Sequence, residues 1–346
     1  MTFLTDYTLL ELEEWFVSNG MQKFRARQVW EWFYVRGADS YEKMTNLPKN
    51  VRALLLKKLP LIQTKVQEIK TAADDSEKRL IELCSDNDFV ESVWIPMGSH
   101  ATVCVSTQVG CPIGCSFCAS GSEGFERNLT TGEIVEQVWH SRVAHSRSGI
   151  KNLVFMGMGE PFLNYDNLIK AIKILNDENG LKIGARRMTI STVGIAKRIV
   201  DFGKDIPQSN LAVSLHATND TLRKKLIPNC PSTIDDLISA LSEYYKMTHR
   251  KITYEYVLLK NINDSLEHAI ELVKIIKKVP SKINLIEYNK VDFNDYDSPG
   301  RKAVKNFSNY LYRKGIDVAV RRKKGDDINA ACGQLRKVSR TSQCDI

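Results

Sequence analysis

Leu9, Leu12 and Phe16 recur at helical spacing, and Val29, Trp30 and Phe33 repeat the pattern on a second stretch, so residues 1–70 read as a small helical module. Phe24-Arg25-Ala26-Arg27-Gln28 opens the second helix, and Asn46-Leu47-Pro48 reads as a further helix start, because Asn can cap and Pro suits a first turn. Residues 62–96 instead alternate apolar and polar positions, as in Arg79–Cys84 and Phe89–Ile95, which predicts short antiparallel strands and a strand segment over 71–98. From about residue 101 strands alternate with helices. The strands are expected at 102–107, 152–156, 187–192, 210–215, 252–258, 282–288 and 316–320, and the helices at 131–145, 165–176, 234–245, 266–277 and 299–314. Repeated strand-helix units predict a parallel α/β sheet, closed or partly closed as a barrel, over 99–322, followed by a C-terminal segment, 323–346, whose polar end is expected to fray.

In such a barrel, chemistry gathers at the carboxyl ends of the strands. Four polar features fall there: Cys111–Cys118 after the first strand, Gly157-Met158-Gly159-Glu160 after the second, Ser191 at the end of the third, and Ser214-Leu215-His216 at the fourth.

Composition adds three constraints. No apolar run approaches a membrane span, so no membrane partner is expected, and the acidic start with Glu11, Glu13 and Glu14 lacks the form of a secretory signal, which makes the cytoplasm the expected location. The net charge is +8, with basic groups at Arg186-Arg187, Arg223-Lys224-Lys225, His249-Arg250-Lys251 and Arg321-Arg322-Lys323-Lys324; a polyanion partner fits them, as does a set of solvated faces. Eight cysteines in 346 residues are too sparse for a disulfide scaffold.

Three of those cysteines, Cys111, Cys115 and Cys118, form CxxxCxxC with Phe117 before the last. Three thiolates can hold three irons of an iron-sulfur cube and leave the fourth open to a small molecule; the bare spacing also fits structural zinc or an electron-transfer cluster. Together with Gly124–Thr130, Gly157-Met158-Gly159-Glu160-Pro161, Arg187–Gly194, Ser214-Leu215-His216 and Gly325–Leu335, the motif resembles the RlmN/Cfr family of radical S-adenosylmethionine (SAM) RNA adenine methyltransferases, essentially end to end. Pro161 lies on the RlmN side of that family.

The resemblance implies a partial (β/α)6 TIM-like radical SAM barrel with a small N-terminal helical RNA-binding accessory domain, and methylation of adenine C2 in 23S rRNA at the peptidyl transferase centre and in tRNA beside the anticodon. It implies a 4Fe-4S cluster on Cys111, Cys115 and Cys118, and SAM, two per turnover, held by Gly159, Glu160, Ser191, Ser214, Leu215, His216 and Asn289. By the same resemblance Cys332 carries the methyl group, Cys104 resolves the adduct by forming a disulfide with it, and Glu91 is the base. Read alone, His216 would be a structural histidine, Cys104 a core thiol and Glu91 a solvent-facing strand carboxylate; Cys84 and Cys230, with no family counterpart, read as small buried residues. A reducing donor such as flavodoxin or ferredoxin is implied, and a monomer is expected. The alternatives are a Cfr-like adenine-C8 methyltransferase and a non-enzymatic RNA-binding protein holding zinc. Tyr288-Asn289-Lys290, without a following proline, and Lys260–Asp264, in place of a Pro-Gly turn, depart from the family pattern.

Overall fold

The computed structural model describes residues 2–145, 149–321 and 323–336. Arg322 of the basic run, the polar end of the chain and Cys344 lie outside these residues.

At the N-terminus, helices α1 (Leu9–Ser18), α2 (Lys23–Trp30) and α3 (Lys49–Lys58) are followed by strands β1 (Thr64–Thr71), β2 (Glu77–Leu83), β3 (Asp88–Met97) and β4 (His100–Cys104). Next come a hairpin of β5 (Gln108–Gly110) and β6 (Phe125–Asn128), with the short α4 (Ala119–Ser122) between its arms, and then α5 (Thr131–Ala144). Alternation follows as β7 (Gly149–Phe155), α6 (Tyr165–Asn176), β8 (Met188–Thr192), α7 (Ala196–Asp205), β9 (Asn210–Ser214), α8 (Asp220–Leu226) and α9 (Ile234–Thr248). It continues with β10 (Ile252–Leu258), α10 (Leu266–Ile276), β11 (Ser281–Glu287), α11 (Gly300–Arg313) and β12 (Val318–Arg321).

Ten strands form one sheet in the order β1-β2-β3-β4-β7-β8-β9-β10-β11-β12, parallel from β4 onward and antiparallel through β1 to β4. Six strand-helix units precede β12, and the barrel is partial: among the described residues β1 and β12 end the ladder without pairing with each other. The strands buried on both faces read as near-continuous apolar runs, as parallel sheets require; every residue of β10 is buried. Capping boxes begin α1, α5 and α9, where Thr8, Thr130 and Thr233 each accept from the N3 amide and the N3 carboxylate answers.

Helix α5 is buried from Thr131 to Trp139, Glu133, Glu136 and Gln137 included. Trp139 stacks on Phe33 at 4.8 Å between ring centroids and donates its indole N–H to the Phe33 carbonyl. The buried Glu136 carboxylate accepts from Thr5, Thr64 and the Gln63 amide, tying the chain start, the first strand and α5 at one point.

Several expectations need correction. The helical stretch ends at Lys58 rather than near residue 70; 64–71 pairs with β2 as a charged, largely exposed edge strand, within the 62–96 span that the alternation assigns to strands. The strands of 71–98 are no separate linker; they extend the barrel sheet through the β3–β4 pairing. Pro48 itself, not Asn46, caps α3, and Asn46 instead accepts from the Trp32 indole. Helix α7 fills the interval between the third and fourth expected strands, and α8 adds a second helix before β10. Cys84 is exposed rather than buried.

Candidate radical SAM active site

The three clustered cysteines lie on the loop that leaves β5 and returns through α4. Gly110, at φ +73°, makes that loop possible: a Cβ there would stand 1.9 Å from the Gly124 carbonyl oxygen, which accepts from the Cys111 amide. The loop is pinned from outside. Ser116 N–H donates to Leu226, Asn229 to the Pro112 carbonyl, Asn294 to the Ser116 carbonyl, and Ala119 N–H to the Gly333 carbonyl at 2.7 Å.

The Cys111, Cys115 and Cys118 thiols line one cavity at the carboxyl ends of the barrel strands. Burial raises all three, Cys111 to about 12, and the charge of neighbouring cysteines adds to the effect, from within the motif for Cys111 and Cys115 and from Cys332 for Cys118, so a cationic group is needed to keep them as thiolates. Among the described residues no three His, Cys, Asp or Glu side chains are gathered tightly enough for one metal ion; a four-iron cube needs its thiolates farther apart than a single ion does.

The opposite walls come from β7 to β11. Gly159, at φ +100°, brings its backbone against Gln108, where a Cβ would fall 2.6 Å from the Gln108 Cβ. Glu160, next in sequence, is buried and accepts from the Thr192 hydroxyl and the amides of Val193 and Phe162, leaving about one further acceptor position on its carboxylate. Burial lifts its pKa to about 7. Ser191, Ser214 and His216 line the cavity too.

His216 has a positive φ, stands edge-on to Phe117 at 4.8 Å, and accepts the Val257 N–H at Nδ1. Burial, with Arg223 adding to it, lowers its pKa to about 3, so the ring stays neutral and its proton belongs on Nε2. Asn263 accepts from Leu259 N–H and donates to the His216 carbonyl; the Lys260–Asp264 turn that departs from the family pattern therefore fastens this histidine. Leu215 is buried in the barrel core and does not line the cavity. Asn289 donates to the Cys332 carbonyl at 2.9 Å, while its buried Oδ1 has no partner among the described residues.

The C-terminal segment crosses the mouth and places Cys332 beside the cluster loop. Its thiol keeps solvent access although protein atoms crowd it, as expected on the floor of an open cavity. Burial pushes Cys332 up, and the Arg321 guanidinium beside it pulls the other way. Cys104, buried at the end of β4, is raised to about 12 by burial and then by the charge of Cys332 itself, and both thiols line a second, adjoining cavity.

Glu91 does not join them. Register pairs Val93 with Cys104, so Glu91 shares that face of the sheet, but its carboxylate is held by Lys78 at 2.9 Å and by the Arg336 amide at 2.9 Å and faces a separate cleft. It is also buried, not the solvent-facing carboxylate that its strand position alone suggests.

Sequence reasoning missed two groups. Glu255, in the fully buried β10, accepts from Arg321 at 3.2 Å and from Asn284 at 2.8 Å, and its Oε2 has no partner among the described residues. A carboxylate inside an otherwise apolar parallel strand was the available signal. Arg223 is 1% exposed and donates to the carbonyls of Val193, Ser232 and Ser214, joining the loops after β8 and β9; nothing separated it in sequence from its basic neighbours, so that run is only partly a surface patch.

The residues present fit an iron-sulfur cluster with SAM beside it: three thiols on one pinned loop, a glycine cradle opposite, and an unpartnered buried acceptor on Asn289 between them. Their cavity holds about 950 Å³ of empty space, open solvent at its mouth included.

Comparison with known proteins agrees. The radical SAM superfamily model matches residues 105–273, and the model of the ribosomal RNA large subunit methyltransferase N-terminal domain matches residues 2–60. The dual-specificity RNA methyltransferase RlmN of Nitratidesulfovibrio vulgaris strain DP4 is 42% identical over 97% of this chain and 95% of its own length. The probable dual-specificity RNA methyltransferase RlmN of Clostridium novyi is 41% identical over 97% of this chain and 98% of its own. A crystal structure of a radical SAM methyltransferase from Sphaerobacter thermophilus superposes with a TM-score of 0.94 at 41% identity, covering 97% of this chain and 99% of that one. The radical SAM family uses a 4Fe-4S cluster and SAM. A barrel carrying the CxxxCxxC motif, joined to an N-terminal module matched by that methyltransferase domain, places the chain in the RlmN family of radical SAM methyltransferases.

Proposed function

We propose that this chain methylates C2 of adenine in RNA, in 23S rRNA at the peptidyl transferase centre and in tRNA beside the anticodon, through a methyl group carried on Cys332. The observation that best supports this reading is the convergence of two thiols outside the cluster motif, Cys104 and Cys332, on one cavity wall next to the cluster loop. Adenine C2 is electron-poor and cannot attack a methyl donor, so the carbon must be delivered another way.

The cluster and SAM, when bound, supply a methyl group and, after one-electron reduction, a hydrogen-abstracting radical. Cys111, Cys115 and Cys118 would hold the cluster. Glu160, with its one remaining acceptor position, and Asn289 Oδ1 would receive SAM donors, and neutral His216 would offer Nε2–H. The Cys332 thiolate, favoured by Arg321, takes the methyl group and later links protein to base. Cys104 Sγ then attacks Cys332 Sγ: the S–S bond forms as the S–C bond to the adduct breaks, that electron pair passes to the product carbon, and the carbon takes up a proton from solvent to become the methyl group. For Glu91 to remove the C2 proton, the Leu335–Arg336 segment held by its carboxylate must first move aside.

The N-terminal helical module would grip RNA, leaving the barrel over 99–322 and the C-terminal segment over 323–346 for the chemistry. A flavodoxin- or ferredoxin-type donor, a monomeric state and a cytoplasmic location complete the proposal; no helix of the described residues is long and apolar enough to cross a membrane.

Anaerobic purification followed by methylation of separate rRNA and tRNA fragments tests it. Mass spectrometry should find 2-methyladenosine, and Cys332→Ala should lose methyl transfer while retaining the cluster absorbance. Normal methylation by that variant, or 8-methyladenosine as product, overturns the reading.

A further inference from the structure

Two cavities meet at Cys332, and they differ in chemistry. The first holds the cluster thiols, Glu160 and His216. The second holds about 1620 Å³ of empty space, open solvent included, and runs from Cys332 and Cys104 through the barrel interior. Cys332 lines both, whereas Cys104 lines only the second. Of the two, only the second cavity is lined by both thiols.

Its walls change along their length. Beside the thiols they are apolar, from Val154, Met156 and Ile286, which suits the face of a base. Farther on they become polar at Thr102 and Asn152, midway along their strands, and at Thr189 and Asn210, near the strand starts opposite to the cluster end. The lining is cationic at both ends: Arg186 and Arg187 stand on the turn before β8, where the strands begin, and Lys323 and Lys324 follow β12 on the cluster side. The lysines pair with Asp326 and Asp74, and the one carboxylate in the lining, Glu287, accepts from Ser298. Arg186 and Arg187 are exposed, and their side chains have no ion-pair or hydrogen-bond partner among the described residues. Planar guanidinium groups left free at a cavity mouth are suited to phosphate, which they can engage bidentately.

We propose that the RNA strand delivers its target base through this second cavity, entering from the side of the barrel where β8 and β9 begin, with backbone phosphates on Arg186 and Arg187. The inference rests on the RNA methyltransferase reading above and adds the direction of entry and the residues that hold the strand. An unstacked base threads past the polar walls to the apolar pocket at the thiols, while the cofactor cavity stays on the far side of Cys332. The competing route runs over the cluster end, along the cleft that contains Lys78, Lys290 and Phe293.

Fluorescence anisotropy with the full-length protein and a fluorescein-labelled RNA hairpin bearing an unpaired adenine in its loop decides between them. Three proteins are titrated at several salt concentrations: wild type, Arg186→Glu/Arg187→Glu, and Lys290→Glu on the competing cleft. Loss of two single-strand phosphate contacts should lower the slope of log affinity against log salt by about 1.4 and weaken binding at least about tenfold at low salt. Lys290→Glu should bind as wild type does, and Arg186→Lys/Arg187→Lys should keep most of the affinity. Thermal unfolding checks that the exposed substitutions leave the fold intact. Wild-type affinity in the arginine reversal, or loss confined to Lys290→Glu, overturns the route while leaving RNA methylation standing. A wild-type protein that neither binds nor methylates the hairpin overturns the route and the RNA reading together.

Discussion

Replacing Arg321 by Met removes the one cation paired with Glu255, whose side chain is 4% exposed, and leaves that carboxylate only the Asn284 amide. Breaking a buried ion pair at one partner costs about 3–5 kcal/mol; because Arg321 keeps a third of its side chain accessible, the lower end, about 3 kcal/mol, is expected at pH 8. The abandoned carboxyl can escape part of that cost by taking up a proton. Doing so costs 1.36 kcal/mol for each unit between the solution pH and the ordinary Glu value near 4.4, about 5 kcal/mol at pH 8 but only about 1 kcal/mol at pH 5. The sign follows from burial, which already raises Glu255 above its ordinary value while Arg321 opposes that rise. A group with a raised folded pKa binds more protons folded than unfolded, so its contribution falls as pH climbs through the window between the two values. Arg321→Met widens that window. The variant should therefore lose about 3 kcal/mol against wild type at pH 8 and about 1 kcal/mol or less at pH 5, read from urea midpoints of the cluster-free chain. Adding Glu255→Gln should recover most of the loss at pH 8, since the neutral amide needs no counter-charge. An equal penalty at both pH values, or a double variant as unstable as the sum of the singles, would refute the reasoning.

Other outcomes follow from the same geometry. Gly159→Ala should cost about 1–3 kcal/mol, because its Cβ meets Gln108 at 2.6 Å in a positive-φ conformation, and SAM binding should fall with it; thermal unfolding and SAM titration check both. SAM affinity in the wild type should rise about tenfold from pH 6 to pH 8 as the Glu160 carboxyl, held near 7 by burial, ionises to meet the SAM ammonium; Glu160→Gln should bind more weakly and lose that slope, so a slope kept by the variant would place the titrating group elsewhere. Phe33→Ala should remove about 3–5 kcal/mol, since the ring is fully buried and stacked on Trp139 across the seam between the N-terminal helices and α5; a urea midpoint shift worth under about 1 kcal/mol would show that the seam is held elsewhere.

The barrel was legible because its signals are local. Strand-helix alternation is written in periods of two and 3.6, and the structure keeps its seven parallel strands within a few residues of their expected bounds. Cys111, Cys115 and Cys118 were legible because one short loop carries all three, and the glycines at 157 and 159 because close backbone approach demands that residue. Chain pattern by itself therefore determined the fold class, the CxxxCxxC spacing of three thiols and the strand ends on which they and the glycines fall.

Tertiary structure decided what depends on partners distant in sequence. Cys104 and Cys332 are separated by most of the barrel, and their shared cavity exists because the C-terminal segment is latched to Ala119, Ser120 and Asn289. Arg223 and Arg321 each opened a basic run that looked like surface, and the structure turned both inward, one onto carbonyls and the other onto Glu255. The same folding left Arg186 and Arg187 exposed, with no ion-pair partner among the described residues. Identical residue types diverge in this way because a charge takes its role from burial and from the nearest counter-charge, and neither is a property of the chain near it.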